Sequence, residues 1–168
     1  WLPDKVEKQL NSMQDNKISF SYTGYRSIDE DGENLSCPIL MRESYNLKQA
    51  LVGRGIGILT IMIEKILLND EIIQTRSDFA EDYLWWLLIL KQGHIAKHIN
   101  IDSARYRKTK NSRSKNRFAH QLSLWNIYRK QVQLSLITAF VYYMIYVINV
   151  SFSKMRVAVC SRYLNNSD

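Results

Sequence analysis

The sequence predicts an α/β fold, because segments with apolar residues at helical spacing alternate with short strand-like runs. The strongest helical pattern covers residues 77–93, where an apolar stripe precedes Gly93, a residue type that commonly ends helices. The clearest strand patterns are residues 18–23, in which Ile, Phe and Tyr alternate with Ser and Thr, and the apolar run 58–63. With 168 residues, 46% of them hydrophobic and 23% charged, the composition is that of a folded domain.

Local sequence patterns also predict the other elements of the chain. Pro3 and an apolar side formed by Val6, Leu10 and Met13 predict an opening helix that ends near Asn16. Turn residues, proline and short apolar runs predict four further elements: a turn at 29–32, a loop at 37–45, a short helix at 47–52 and a strand at 95–99. From residue 118 the pattern is helical, and residues 160–168 are expected to form a loose polar tail.

Residues 134–153 carry no formal charge over twenty positions, which is nearly enough to cross a bilayer. Interspersed Ser, Thr, Tyr and Asn lower the hydrophobicity of this stretch. We therefore favour a helix packed on the domain or lying in the membrane interface, with Tyr at the headgroup level. A membrane span stays open as the alternative.

Cysteine and histidine usage gives no sign of a metal centre. Cys37 and Cys160 are far apart in the sequence and have neither metal-ligand spacing nor a disulfide framework, which fits a reducing cytosol. His94 and His98 lie four positions apart, but no third ligand is nearby, so we expect no zinc site. The chain starts at Trp1 without a signal-peptide pattern, so we expect either a processed chain or a missing upstream part.

Two adjacent carboxylates, Glu81 and Asp82, lie near the start of the apolar helix at 77–93. An ionised carboxylate beside a core is costly unless it is paired, capped or used. In one interpretation, Asp78 caps the helix, Glu81 completes a capping box, and Asp82 meets a nearby cation. In the other interpretation, the pair carries a function, and the helix alone leaves both open.

The segment from Glu81 to Gly93 reads E-D-Y-L-W-W-L-L-I-L-K-Q-G and resembles the E-D-x-x-L-W-L-x-L-L-x-x-G segment of family 2 glycosyltransferases. The opening W-L-P-D-K-V-E-K-Q is similar to the family's W-L-P-x-K-L-E-K-Q, and the two matches occur in the family's order. These are bacterial inverting enzymes that build lipopolysaccharide, capsule and O-antigen. The resemblance implies a partial GT-A fold, which is Rossmann-like, with an acceptor-side part at 1–117 and a helical extension at 118–168.

The resemblance also implies roles for single residues. In the family, the Asp of the Glu-Asp pair is the general base on the acceptor hydroxyl, which places that role on Asp82, with Glu81 as a second catalytic candidate. Thr60 matches a family Thr that lies near the acceptor or the donor phosphates. A Thr that simply favours a strand is the other interpretation.

A basic segment at residues 105–117 holds seven Lys and Arg residues and no acid, so the whole net charge of +7 comes from it. Within it, Tyr106, Arg107, Ser112 and Ser114 resemble the family's Y-R-x-x-x-x-S-x-S pattern, whose basic and hydroxyl groups would suit a leaving diphosphate. A solvated basic loop, an anionic membrane contact and nucleic-acid binding are the alternatives. Only Tyr106 could stack on a base, so we expect no nucleic-acid partner.

The resemblance implies a nucleotide-sugar donor and a glycan or lipid-linked glycan acceptor at the cytoplasmic face of the inner membrane. It also implies a divalent metal, Mg²⁺ or Mn²⁺, held by an Asp-rich motif that would precede Trp1. We therefore expect the 168 residues alone to transfer no sugar. Oligomerisation stays open, and the alternative function is a non-catalytic basic protein at a membrane surface or interface, a transferase remnant.

Overall fold

The computed structural model describes residues 1–32, 36–39, 41–53, 56–74, 81–109 and 117–165. Six α-helices lie within these ranges: α1 (Lys5–Asp15), α2 (Leu47–Val52), α3 (Asp70–Gln74), α4 (Glu81–Lys91), α5 (Arg117–Asn126) and α6 (Leu136–Asn165). Four strands lie within them: β1 (Phe20–Ile28), β2 (Ser44–Tyr45), β3 (Met62–Ile63) and β4 (Ala96–Arg107). Single 3₁₀ turns occur at Ile58–Thr60 and Lys65–Leu67, and a π-helical turn follows α5 at Ile127–Gln131.

The described strands form one mixed sheet in the order β2-β4-β1-β3. The long central strands β1 and β4 are parallel, whereas the two-residue strands β2 and β3 pair antiparallel with β4 and β1 at the two edges. Parallel neighbours need a crossover connection, and here the crossover contains α2, α3 and α4. This mixed α/β architecture with C-terminal helices confirms the predicted fold class and is consistent with a partial GT-A fold.

The pairing of β1 with β4 changes register on both sides of Gly24. A Cβ atom at this position would lie 3.1 Å from the carbonyl oxygen of Ile101 on the neighbouring strand. Glycine therefore permits the close approach that lets the two strands continue to pair beyond the irregularity.

A buried polar network fastens α1 to the sheet. The Lys5 ammonium donates to the side-chain oxygen of Gln9 at 2.8 Å, and the Gln9 amide donates to the Ser21 hydroxyl at 2.9 Å and to the Thr60 carbonyl at 3.0 Å. Lys5 is 2% exposed and Gln9 is fully buried. Burial lowers the pKa of the Lys5 amine, and the ammonium also lies 4.6 Å from the centre of the Trp1 ring.

The C-terminal end of α2 is a meeting point of three other elements. Its last carbonyl groups accept hydrogen bonds from the Tyr83 hydroxyl of α4, at 2.9 Å to Ala50, and from the Tyr128 hydroxyl of the π-helical turn, to Leu51. The Asn149 amide of α6 donates to the carbonyl of the next residue, Val52, at 2.7 Å. Because the last carbonyls of a helix lack partners within it, these side chains complete the hydrogen bonding of α2.

Helix α6 packs one side against the domain and leaves the other exposed. Asn149 contacts α2, and Tyr143 donates to Gln121 of α5 at 2.9 Å and meets the ring of Trp125 edge to face. Residues Leu136–Val157 are long and apolar enough to cross a membrane by length and composition alone. The exposed side carries large apolar residues at helical spacing, namely Ile137, Val141, Met144, Ile148, Phe152 and Met155. We call these six residues the apolar stripe.

Several local predictions need correction. The run 58–63 is not one buried strand, because Ile58–Thr60 forms a 3₁₀ turn and only two residues pair with β1. The strand predicted at 95–99 continues to Arg107. The expected polar tail is helical as far as Asn165. Cys37 and Cys160 form a disulfide bond, so the prediction of unlinked cysteines was wrong.

Candidate active site

The first turn of α4 carries the Glu81-Asp82 pair. This helix is held by its buried side, on which Leu84, Leu87 and Ile89 are fully buried. The Trp86 indole donates to the Ile56 carbonyl at 3.2 Å, and its ring lies 5.9 Å from the Phe20 ring of β1. These contacts fix the rotation of α4 and therefore the direction in which its first turn presents its carboxylates. Asp78, the predicted N-cap, lies outside the described residues.

Asp82 is half-buried, and burial raises the pKa of its carboxyl above 3.8. Hydrogen bonds from the backbone N–H groups of Tyr83 and Asp82 oppose this rise, as does the charge of His120, while the neighbouring Glu81 adds to it. Within the described ranges, no Lys or Arg forms an ion pair with Asp82. The carboxylate is thus held at a helix start by backbone donors and is not neutralised by a described lysine or arginine.

His120 of α5 is part of the surroundings of Asp82, which the sequence did not indicate. Its side chain is half-buried. Burial lowers the pKa of its imidazole, the charge of Asp82 opposes this, and Lys154 of α6 adds to the lowering. The first turn of α4 therefore interacts electrostatically with α5, and α5 with α6. Nothing in the local sequence around His120 signals this proximity.

Thr60 is fully buried, and its side chain is already bonded. Its hydroxyl donates to the Gly57 carbonyl at 2.7 Å, and its own carbonyl accepts from Gln9 and, at 3.4 Å, from the Thr23 hydroxyl. Thr60 thus belongs to the network beneath α1. Its predicted contact with substrate stays a prediction, and such a contact would need the substrate to reach a side chain that is fully buried here.

Tyr106 and Arg107 lie at the C-terminal end of β4, opposite Ser27 and Ile28 of β1. Tyr106 is 41% exposed, and its ring lies edge to face with that of Tyr25. The Arg107 guanidinium donates to the Glu30 carbonyl at 2.6 Å. Ser112 and Ser114 lie outside the described residues.

The structure groups some of the predicted site residues and not others. Tyr106 and Arg107 stand side by side at one end of the central strands. No described hydrogen bond or ion pair joins Asp82 to them or to Thr60. Ligands of open α/β sheets bind outside the carboxyl ends of the strands, so the end of β4 is a suitable place for a substrate phosphate.

No metal site is formed by the described residues. Within the described ranges, no group of three or more His, Cys, Asp or Glu side chains could hold a metal ion. The divalent ion that the resemblance implies therefore has no ligand set in this part of the chain, and we assign it no step.

Two cavities are formed by described residues. One, of about 720 Å³, lies between α6 and residues 37–53 and includes Arg42 and Arg156 in its lining. The other, of about 670 Å³, lies at the β1–β4 pair and includes His98 and Asp102. Asp102 is ion-paired with Arg26 at 2.9 Å and with Arg105 at 2.6 Å. Asp82 lines neither of these two cavities.

The chain is similar to known bacterial glycosyltransferases. No family model matches it. The Bacillus subtilis protein described as a teichuronic acid biosynthesis glycosyltransferase, TuaG, is 36% identical over 142 residues, which is 83% of this chain and 55% of that protein. The Escherichia coli UDP-Glc:alpha-D-GlcNAc-diphosphoundecaprenol beta-1,3-glucosyltransferase WfgD is 30% identical over 92% of this chain and 59% of its own length.

A third relative, an uncharacterized glycosyltransferase of Haemophilus influenzae, is 26% identical over 87% of this chain and 58% of its own length. The chain thus spans between half and three fifths of the length of the curated relatives it matches. All three relatives are glycosyltransferases by name, and each match covers most of this chain. The chain is therefore related over most of its length to bacterial glycosyltransferases, as its resemblance to part of a family 2 enzyme predicts.

Proposed function

We propose that this chain forms part of a glycosyltransferase that moves a sugar from a nucleotide-sugar donor to a surface polysaccharide or a lipid-linked glycan. Two relatives support the acceptor class by name, since one is described for teichuronic acid biosynthesis and the other acts on a diphosphoundecaprenol-linked sugar. We further propose that transfer inverts the anomeric carbon, because a single displacement needs one base on the acceptor side and Asp82 can supply it.

The observation that carries the proposal is the state of the Asp82 carboxylate. It is half-buried at a helix start, its pKa is raised by burial, and no described lysine or arginine neutralises it. A general base works best when its pKa lies near the working pH, and burial moves this carboxylate in that direction. A carboxylate that served only as half of an ion pair would instead have its pKa lowered.

In the proposed step, the Asp82 carboxylate takes the proton of an acceptor hydroxyl while that oxygen forms a bond to the anomeric carbon. The bond from this carbon to the nucleoside diphosphate breaks, and the leaving diphosphate keeps the electron pair. Positive charge near the leaving oxygens stabilises this separation. The Arg107 guanidinium at the end of β4 is the described group proposed to supply that charge. The hydroxyl groups of Tyr106, Ser112 and Ser114 are proposed to donate hydrogen bonds to the same oxygens.

The family's divalent ion, Mg²⁺ or Mn²⁺, would supply Lewis-acid stabilisation of the same diphosphate. Glu81 is proposed to support the first turn of α4, where its charge raises the pKa of Asp82.

For location, we propose the cytoplasmic face of the inner membrane. The Cys37–Cys160 bond removes the cysteine argument for a reducing compartment, so this placement depends on the relatives and on the exposed apolar stripe.

The test is the substitution Asp82→Asn in the protein encoded by the complete reading frame, assayed with a panel of sugar nucleotides with and without Mn²⁺. Loss of one positioned base should lower the turnover number by about 10²–10⁴-fold. Asp70→Asn is the matched control, since Asp70 is an exposed carboxylate at the start of α3. Transfer by Asp82→Asn at the parent rate would exclude Asp82 as the base. It would also favour the alternative of a non-catalytic protein at a membrane surface.

A further inference from the structure

The cavity of about 720 Å³ beside α6 combines polar and apolar walls. Arg42 and Tyr45 line it from the segment around β2, and Asn149, Phe152 and Arg156 line it from α6. The Cys37–Cys160 disulfide forms another part of its wall and links the segment after β1 to α6. We call this space the arginine cavity.

The arginine cavity is positively charged. Within the described part of the chain, neither the Arg42 nor the Arg156 guanidinium forms an ion pair with a carboxylate. Among the described residues no acidic one lines the cavity, and the sequence of α6 contains none. Two guanidinium groups at one cavity, with no counter-charge of their own, favour an anion there. Their planar forks match the oxygens of a phosphate better than a point charge would.

The arginine cavity is also continuous with the apolar stripe of α6. Phe152 belongs to both, since it lines the cavity and is 57% exposed on the outer side of the helix. From Ile137 to Phe152 the stripe runs about 22 Å along the helix at 1.5 Å per residue. A soluble domain rarely exposes an apolar surface of this extent unless a partner covers it. An anionic site at one end of a long apolar surface matches an amphiphile with a charged head and a hydrocarbon tail.

We propose that the arginine cavity binds the phosphate or diphosphate headgroup of a membrane lipid, and that the lipid's hydrocarbon chain lies against the apolar stripe. The Arg42 and Arg156 guanidinium groups contact the phosphate oxygens. Phe152 stands where headgroup and chain meet. This binding does not depend on Asp82 acting as a base, so it can be tested apart from sugar transfer.

A second copy of the chain is the other occupant that could cover the apolar stripe. A dimer formed through this face would bury the stripe, but it would bring two arginine cavities of like charge towards one interface without supplying an anion. The charge of the cavity therefore favours a phosphorylated lipid over a second copy. The oligomeric state of the protein in the absence of lipid separates the two.

The experiment measures sedimentation of the full-length protein with phosphatidylcholine vesicles that contain phosphatidic acid, whose headgroup is a phosphate monoester. The double variant Arg42→Gln/Arg156→Gln should bind these vesicles at least about tenfold more weakly, because two charge-assisted phosphate contacts are lost. Lys65→Gln is the matched control. It removes an exposed cation beside β3, at the sheet edge opposite β2, and should change binding less than about twofold.

Two further measurements separate headgroup from chain. Inorganic pyrophosphate should compete with the vesicles for the parent protein, and Phe152→Ser should weaken vesicle binding while leaving pyrophosphate binding intact. Equal losses in the double variant and in Lys65→Gln would overturn the proposal, because they would indicate general charge attraction. So would a lipid-free dimer that Phe152→Ser dissociates. Asp82→Asn should still bind vesicles like the parent, so failure of the transfer proposal and failure of this one give different results.

Discussion

The buried network beneath α1 allows a quantitative prediction for Gln9→Met, a change that nearly preserves volume but removes the amide. The variant loses the bond from the Lys5 ammonium at 2.8 Å and the two bonds from the Gln9 amide to Ser21 and Thr60. A hydrogen bond to a charged group contributes about 1.5–3 kcal/mol and a neutral one about 1 kcal/mol. The free energy of unfolding should therefore fall by about 3–5 kcal/mol.

The assay is urea unfolding followed by circular dichroism. With a typical slope of about 2 kcal/mol per molar urea, the midpoint should fall by roughly 1.5–2.5 M while the slope stays unchanged. Gln14→Met is the control, because Gln14 lies on the same helix but is exposed. Its free energy of unfolding should stay within about 0.5 kcal/mol of the parent.

A second variant tests the cause. Lys5 is 2% exposed, so in Gln9→Met its ammonium remains buried and, among the contacts of the described residues, keeps the Trp1 ring at 4.6 Å but no hydrogen-bond acceptor. The double variant Lys5→Met/Gln9→Met removes that stranded charge and should be more stable than Gln9→Met. If Gln9→Met unfolds at the same urea concentration as the parent, the network does not hold α1 to the sheet. If the double variant is the less stable of the two, the stranded ammonium is not the cause of the loss.

Three other predictions concern α4. Because burial raises the pKa of Asp82, its ionisation costs stability as the pH rises through 3.8. Asp82→Asn should therefore match the parent below pH 3.8 and be more stable near neutral pH, and a parent that is the more stable at neutral pH would contradict this. In transfer assays, kcat/KM should fall on the acid side with an apparent pKa above 3.8, because protonation of Asp82 removes the base. Leu87 is fully buried, so Leu87→Ala should lower the free energy of unfolding by about 2–5 kcal/mol. Ile66 is 85% exposed, so the control Ile66→Ala should change this free energy by less than about 0.5 kcal/mol. Equal effects of the two substitutions would mean that α4 is not packed as described.

Elements with local signals were predictable from the sequence. The helix at Leu47–Val52 was predicted with the bounds that the structure shows, and Asn46 and Gln49 form a reciprocal capping box at its start. The opening helix and its end at Asn16 were likewise predicted, because its apolar side has helical spacing. In each case the information lies within about a dozen neighbouring residues.

Elements that depend on distant partners were not predictable in the same way. The apolar run at 58–63 has the composition of a strand, but the Thr60 hydroxyl closes a turn onto Gly57, and the Thr60 carbonyl is taken by the Gln9 side chain. Strand β4 extends beyond the predicted residues 95–99 because β1 supplies parallel backbone partners as far as Arg107. Which carbonyl or strand will be available is a property of the folded chain.

In the candidate site, too, features with a local sequence signal were predictable and features that depend on distant residues were not. The Glu81-Asp82 pair could be identified from the sequence, because carboxylates beside a core need an explanation and because the segment resembles a family motif. The neighbourhood of His120 and the Cys37–Cys160 bond could not, since 123 positions separate the two cysteines and some forty separate Asp82 from His120. The first depends on how α5 packs near α4, and the second on how α6 packs near the segment after β1.

The meeting point at the end of α2 has a consequence for the order of folding. Six residues are too few for a helix to persist alone in water. The Gly53 N–H donates to the Ala50 carbonyl from within the same segment, but the described donors to the Leu51 and Val52 carbonyls come from the π-helical turn and from α6. We therefore expect helix α2 to become stable last, after the elements that bond to its end have packed. Its amide protons should gain protection from exchange only in the final, fully assembled state of the chain.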